Sequence, residues 1–180
     1  MAGPAFTDRR AVHEEMERAR ATFRQLLRSA SPADLRRRTQ GTRWTNEQLL
    51  FHMLFGYLIV RVLLVLVKGF GRLPDGVSNV FARVLESATG PFHVVNYLGS
   101  KAGPFVFGGA DKMAAELDRV IASLHRRLDS ESEETLRLRM YFPTSWDPFF
   151  NDSMSVGELY RYATQHFDFH RRQLTLDRSG

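Results

Sequence analysis

The sequence predicts an all-α fold, a bundle of four long helices, and three observations carry that prediction. Apolar residues recur at steps of three and four over several long stretches, the period of an amphipathic helix. Two stretches open on the Ser/Thr-x-x-Glu/Gln pattern that caps a helix N-terminus, Thr45 to Gln48 and Ser155 to Glu158. One stretch is apolar on nearly every side, as the central member of a bundle must be.

The first helix runs from Thr7 to about Ala30, with its stripe at Val12, Met16, Ala19, Phe23, Leu26 and Ala30 and an i,i+4 pair of Glu14 with Arg18. Ser31-Pro32 breaks it and starts a fresh helical turn. The second helix begins at Thr45 and continues through LLFHMLFGYLIVRVLLVLV, residues 49 to 67. That run is long enough to raise a membrane span, but Arg61 well inside it and His52 near its start would be costly in lipid, so a buried helix and no membrane partner are expected. Residues 69–109 hold eight of the 13 glycines together with Pro74, Pro91 and Pro104. They read as a long insertion between the second and third helices that packs over one end of the bundle. Within it Val77, Val80, Phe81, Val84, Leu85 and Ala88 form a short helical stripe, while FHVVNYL, 92 to 98, fits helix or strand equally.

The third helix spans about Asp111 to Leu128, with Met113, Leu117, Val120, Ile121, Leu124 and Leu128 on one side. A charged turn, SESEE, leads to LRLRMYF, 136 to 142, which alternates like a strand or an extended connector. Pro143, Pro148, Trp146, Phe149 and Phe150 make a stiff loop that covers something apolar. The last helix starts at the Ser155 capping box, with Met154 and Leu159 placed as a hydrophobic staple. Its stripe is Leu159, Tyr162, His166, Phe169 and His170, then Gln173 and Leu174.

Composition bounds the chemistry. At 180 residues, 43% hydrophobic and 25% charged, the chain suits one domain, 1–180, with a core of its own. It has no cysteine, which removes disulfides, thiolate metal ligands and a Cys nucleophile. MAGPAFTDRR has no apolar core of a signal peptide, and a cytoplasmic protein is expected. The net charge of +5 is carried by 22 Arg against 3 Lys, in short scattered clusters without aromatic interleaving, so no nucleic-acid partner is expected.

The histidines carry the functional signal. His166 and His170 are one turn apart on a face that is otherwise apolar, and buried imidazoles need a hydrogen bond or a metal. His52 is the candidate third ligand. Three neutral imidazoles with an open position make a catalytic rather than a structural metal site. Gly56, one turn beyond His52, leaves open space beside that ring for a ligand, or else serves close helix packing. Arg61 falls on nearly the opposite side, and Asp168 faces away toward solvent or an Arg. His13 and His125 read as exposed, and His93 as a candidate substrate contact at the bundle mouth. The zinc-protease pattern fails because Phe167, not Glu, follows His166.

TRWTNEQLLFHMLFGY, 42 to 57, and SVGELYRYATQHFDFHRRQL, 155 to 174, resemble the first ligand segment and the last helix of the DinB-like superfamily. The resemblance implies a four-helix bundle with up-down-down-up connectivity, and a divalent metal, typically zinc or nickel, on His52, His166 and His170. It also implies a homodimer and, in some members, transfer or isomerisation chemistry with a low-molecular-weight thiol such as mycothiol or bacillithiol. The expected function is therefore metal-dependent activation of a thiol or water for a small-molecule substrate. No carboxylate lies on the inward faces of the second and last helices, which favours thiol transfer over hydrolysis. A metal-binding stress or sensor protein without catalysis is the remaining alternative.

Overall fold

The computed structural model describes residues 8–176. In chain order the elements are α1 (Arg9–Ser29), α2 (Pro32–Arg36), α3 (Asn46–Phe70), α4 (Asp75–Ser87), α5 (Thr89–Phe107), α6 (Ala110–Ser130), α7 (Glu133–Arg137), β1 (Arg139–Tyr141), β2 (Ser153–Ser155) and α8 (Val156–Arg171). The four long helices α1, α3, α6 and α8 form the bundle. Cross-helix contacts fix their directions. Arg9 reaches Glu133 and Arg24 reaches Asp118, so α1 and α6 are antiparallel. His52 meets His166 and Tyr57 meets Thr164, so α3 and α8 are antiparallel. Glu15 meets Arg161 and Arg18 meets Asp168, so α1 and α8 are parallel. The result is the expected up-down-down-up arrangement, in which parallel α3 and α6 require a long return between them.

Local chemistry sets the helix ends. Capping boxes at Ser31, Thr45 and Ser155 each satisfy two of the N–H groups that a helix start leaves unpaired. Thr7 lies outside the described residues; α1 is capped by Asp8, whose carboxylate accepts from the Ala11 N–H. Val12, Met16, Ala19 and Phe23 are buried, and Leu27 is buried deeper than the anticipated Leu26. The anticipated Glu14–Arg18 pair is not formed: Arg10 binds Glu14, and Arg18 is drawn to Asp168 across the bundle, where both of its Nη atoms are used. Every residue of the α6 stripe is buried.

α3 is the one helix among the described residues long and apolar enough to cross a membrane, and it is the centre of the bundle, with Leu49, Leu50, Met53, Leu54, Tyr57 and Leu64 fully buried.

Residues 69–109 differ from expectation. They form two helices, and FHVVNYL belongs to α5. The pair runs back along the flank of α3 instead of covering one end of the bundle. Phe81 of α4 stacks on Phe70 at the C-terminal end of α3. α5 crosses the N-terminal half of α3, where a Cβ at Gly103 would fall 2.1 Å from the Phe51 ring. Only glycine permits that approach. The α4 stripe also splits: Phe81 and Leu85 turn inward beside buried Ser78 and Ala82, whereas Val77, Val80 and Val84 are exposed.

The alternating LRLRMYF segment supplies β1, which pairs antiparallel with β2 in the register Met140 to Met154. Between the strands lies the Pro- and aromatic-rich loop. It is tied to the insertion by Trp146, whose indole N–H donates to the Leu85 carbonyl at 3.1 Å and whose ring stacks on Phe92 at 3.9 Å.

Candidate metal centre

Two capped helices bring three imidazoles to one point. His52 lies two turns into α3, and His166 and His170 lie on the face of α8 that packs against it. The Nε2 atoms of His52 and His166 are 3.2 Å apart. The His170 ring centroid is 4.7 Å from that of His52 and 4.5 Å from that of His166. One ring nitrogen from each of the three fits within 4.8 Å of the others.

The outer nitrogens explain the ring orientations. His170 Nδ1 is 2.7 Å from Gln173 Oε1, an acceptor, so Nδ1 carries the proton and Nε2 keeps its lone pair. His52 Nδ1 meets the Ser100 hydroxyl at 3.1 Å. His166 Nδ1 is buried without a partner, against the backbone of Gly56, where a Cβ would fall 2.6 Å from it. The space a Cβ at Gly56 would take is therefore filled by the His166 ring, which is close helix packing, while Gly56 also lines the cavity beside the cluster.

Burial holds all three imidazoles neutral. It is the main cause for each: the His52 pKa is pushed down to about 3, with the neighbouring His170 adding to the effect. His166 lies well below the ordinary value, and His170 is lowered despite its bond to Gln173. Neutral imidazoles with inward nitrogens and partners on two outer nitrogens are the donor set that a divalent cation with open coordination positions takes. The three side chains fit such an ion.

A cavity of about 420 Å³ lies against the cluster. Phe55, Ile59 and Leu63 of α3 form one wall, and Phe81, Phe92 and Trp146 the other. Trp44 also lines it, its ring 4.6 Å from His52. His93 reaches the lining, as the sequence reading allowed, whereas Arg61 does not.

A carboxylate enters the site from a loop to which the sequence reading gives no catalytic role. The inward faces of α3 and α8 supply none; Asp147 comes from the loop between β1 and β2. Its Oδ2 accepts from the Tyr162 hydroxyl at 2.9 Å and lies 3.7 Å from His166 Nε2, while Oδ1 accepts from the Phe149 N–H at 2.9 Å. Burial raises the Asp147 pKa, and those two hydrogen bonds oppose the rise. Burial, then the adjacent Asp147, raises Tyr162 well above the usual phenol value.

Ser100 was not anticipated from the sequence, and His13 and His125, expected to be exposed, are not. Ser100 lies in the Gly-rich insertion, and its only sequence signal is its place three residues before Gly103. His13 and His125 are half-buried and face each other across α1 and α6, each held on Nε2 by a carboxylate, Asp129 and Glu17 respectively. Asp168 does face away from the site, toward Arg18.

No curated protein and no solved structure matches the chain. A family model described as the DinB superfamily matches residues 15–174, a span that takes in all three histidines, both capped helices and the insertion. The chain belongs to the DinB superfamily.

Proposed function

We propose that this protein is a metal-dependent enzyme in which His52, His166 and His170 hold a divalent ion, zinc or nickel, and Asp147 is the acid–base group. The observation that carries the reading is a half-buried carboxyl beside three neutral imidazoles at the floor of an apolar cavity. An ion held there would supply Lewis-acid chemistry, lowering the pKa of a water or thiol ligand toward neutrality. The side chains do the rest. Ser100 and Gln173 fix the rings of His52 and His170, so that their inward nitrogens stay in place. Asp147, oriented by Tyr162 and raised by burial, accepts the proton of the nucleophile and returns it to the leaving group.

Asp147 supports hydrolysis by supplying the acid–base group that hydrolysis needs near the metal, whose absence from the two helix faces had told modestly against it. Transfer from mycothiol or another low-molecular-weight thiol is the second reading, supported by the superfamily and by the capacity of Asp147 to take a thiol proton. A metal-binding role without catalysis is less well supported, since a sealed site would suit it better than a cavity that meets the ligands. On this reading the substrate is a small molecule, the compartment is the cytoplasm and the working form is a homodimer. The homodimer is supported by the exposed apolar residues Val62, Val65, Val80, Val84, Val95 and Leu98 of α3, α4 and α5.

The test is elemental analysis of untagged protein beside a variant with His52, His166 and His170 all changed to Ala. About one equivalent of metal, lost in the variant, is expected. No metal after addition of Zn²⁺ or Ni²⁺ overturns the reading.

A further inference from the structure

The cavity's lining is one-sided in chemistry. Its walls are aromatic and branched aliphatic side chains from α3, α4, α5 and the Trp146 loop, and no Arg or Lys is among the described residues that line it. This holds in a chain of net charge +5 with 25 Lys and Arg, so cations are abundant elsewhere and absent here. The one carboxyl in the lining is Asp147, beside His166 at the reactive end. The polar side chains that α5 adds to the lining are His93 and Asn96.

We propose that the substrate has an uncharged, apolar body, an aromatic or branched aliphatic group seated between α3, α4 and α5, and is polar only at its reacting end. The assignment rests on the proposed function for which end reacts; the class of the body follows from the walls. An anionic group placed between Phe55, Leu63 and Phe81 would leave water for surroundings without a counter-charge. It would also share the cavity with the Asp147 carboxyl. A neutral apolar group gains by the same move. At about 420 Å³ the cavity is at the lower end of the range for small-molecule sites, roughly 300–1,000 Å³, so a single ring system with a short chain fills it. Asn96 and His93 lie one and two turns before Ser100 on α5, so each can bond one neutral polar atom at the reacting end of the substrate. A carboxylate-bearing thiol must therefore keep its charged part outside these walls.

The chain reports on its own cavity, because its two tryptophans, Trp44 and Trp146, both line it. Tryptophan fluorescence would be titrated with 4-phenylbutanamide, 4-phenylbutanoate and glutathione, on metal-free and zinc-loaded protein. The metal content of each sample would be measured directly. In metal-free protein the amide is expected to bind at least about tenfold more tightly than the carboxylate or glutathione. Leu63→Arg, with folding checked by circular dichroism, should reverse that preference; Ile59→Phe, which takes up volume without charge, should weaken the amide without reversing the preference. Equal or tighter binding of the carboxylate or glutathione to metal-free protein, or no binding of the amide, overturns the proposal and leaves the metal reading intact. Selective binding of the amide by protein that takes up no metal overturns the metal reading and leaves the substrate class standing.

Discussion

Replacing Gly56 with Ala sets two effects of opposite sign against each other, and the geometry decides between them. In a helix interior Ala is favoured over Gly by about 1 kcal/mol. Against this, the new Cβ would fall 2.6 Å from His166 Nδ1 and 3.0 Å from Cε1, where ordinary contact begins near 3.4 Å. The ring must retreat by 3.4 − 2.6, about 0.8 Å, in a buried site. Overpacking of this kind costs about 1–3 kcal/mol, so the net effect on stability is a loss of about 0–2 kcal/mol. Metal affinity responds more sharply. Coordination distances hold to about 0.2 Å, and an imidazole displaced by several times that amount should lower affinity by at least about 10–100-fold. Urea unfolding measures the first effect, and zinc competition with a chromophoric chelator the second. Gly69→Ala is the control, because it lies in the same helix with nothing within 4 Å of its Cβ, and it should leave zinc binding unchanged. A Gly56→Ala protein that gains about 1 kcal/mol and binds zinc like the wild type would refute the assignment of that space to His166.

Ser100→Ala should lower zinc affinity about 10–100-fold, because His52 Nδ1 loses its partner in a buried site, and should cost about 1 kcal/mol in the same unfolding assay. Asp147→Asn keeps the shape of the side chain and removes its basicity. It should leave zinc stoichiometry unchanged and slow turnover about 10²–10⁴-fold, once a substrate of the predicted class is in hand. Metal-free protein should lose stability in mild acid. His52 titrates at about 3 when folded and near 6.5 when unfolded, so between those values the unfolded chain holds a proton that the folded one does not. Stability from this group is complete above pH 6.5 and falls by about 1.4 kcal/mol per pH unit below it, or about 2 kcal/mol by pH 5, with His166 acting in the same direction. Urea midpoints that do not change over that interval would contradict burial of neutral imidazoles.

The bundle and the three histidines were legible because their signals are local. Capping boxes at Thr45 and Ser155 and a four-residue spacing on an apolar stripe depend on neighbours in sequence. What was not legible depends on tertiary contact. Asp147 is one acidic residue in a loop until Trp146 anchors that loop to Leu85 and Phe92 and turns the carboxyl toward His166. Ser100 becomes visible only once Gly103 has let α5 close on Phe51. His13 and His125 look like solvated residues on separate helices, and only the antiparallel packing of α1 on α6 turns them into a cross-braced pair. Gly56 carried a signal with two readings, ligand space or close helix packing, because spacing identifies a missing side chain without saying that the His166 ring packs against it.

The close crossing of α5 over α3 ties two properties together that could otherwise be adjusted separately. The helix that contributes Phe92, His93 and Asn96 to the cavity wall also contributes the hydroxyl that orients His52. A change in this segment that reshapes the wall for a different substrate also moves Ser100, and with it the basicity and position of one ring. Variants selected for a new specificity in residues 89–107 should therefore show altered zinc affinity as a by-product, and compensating changes should cluster around His52.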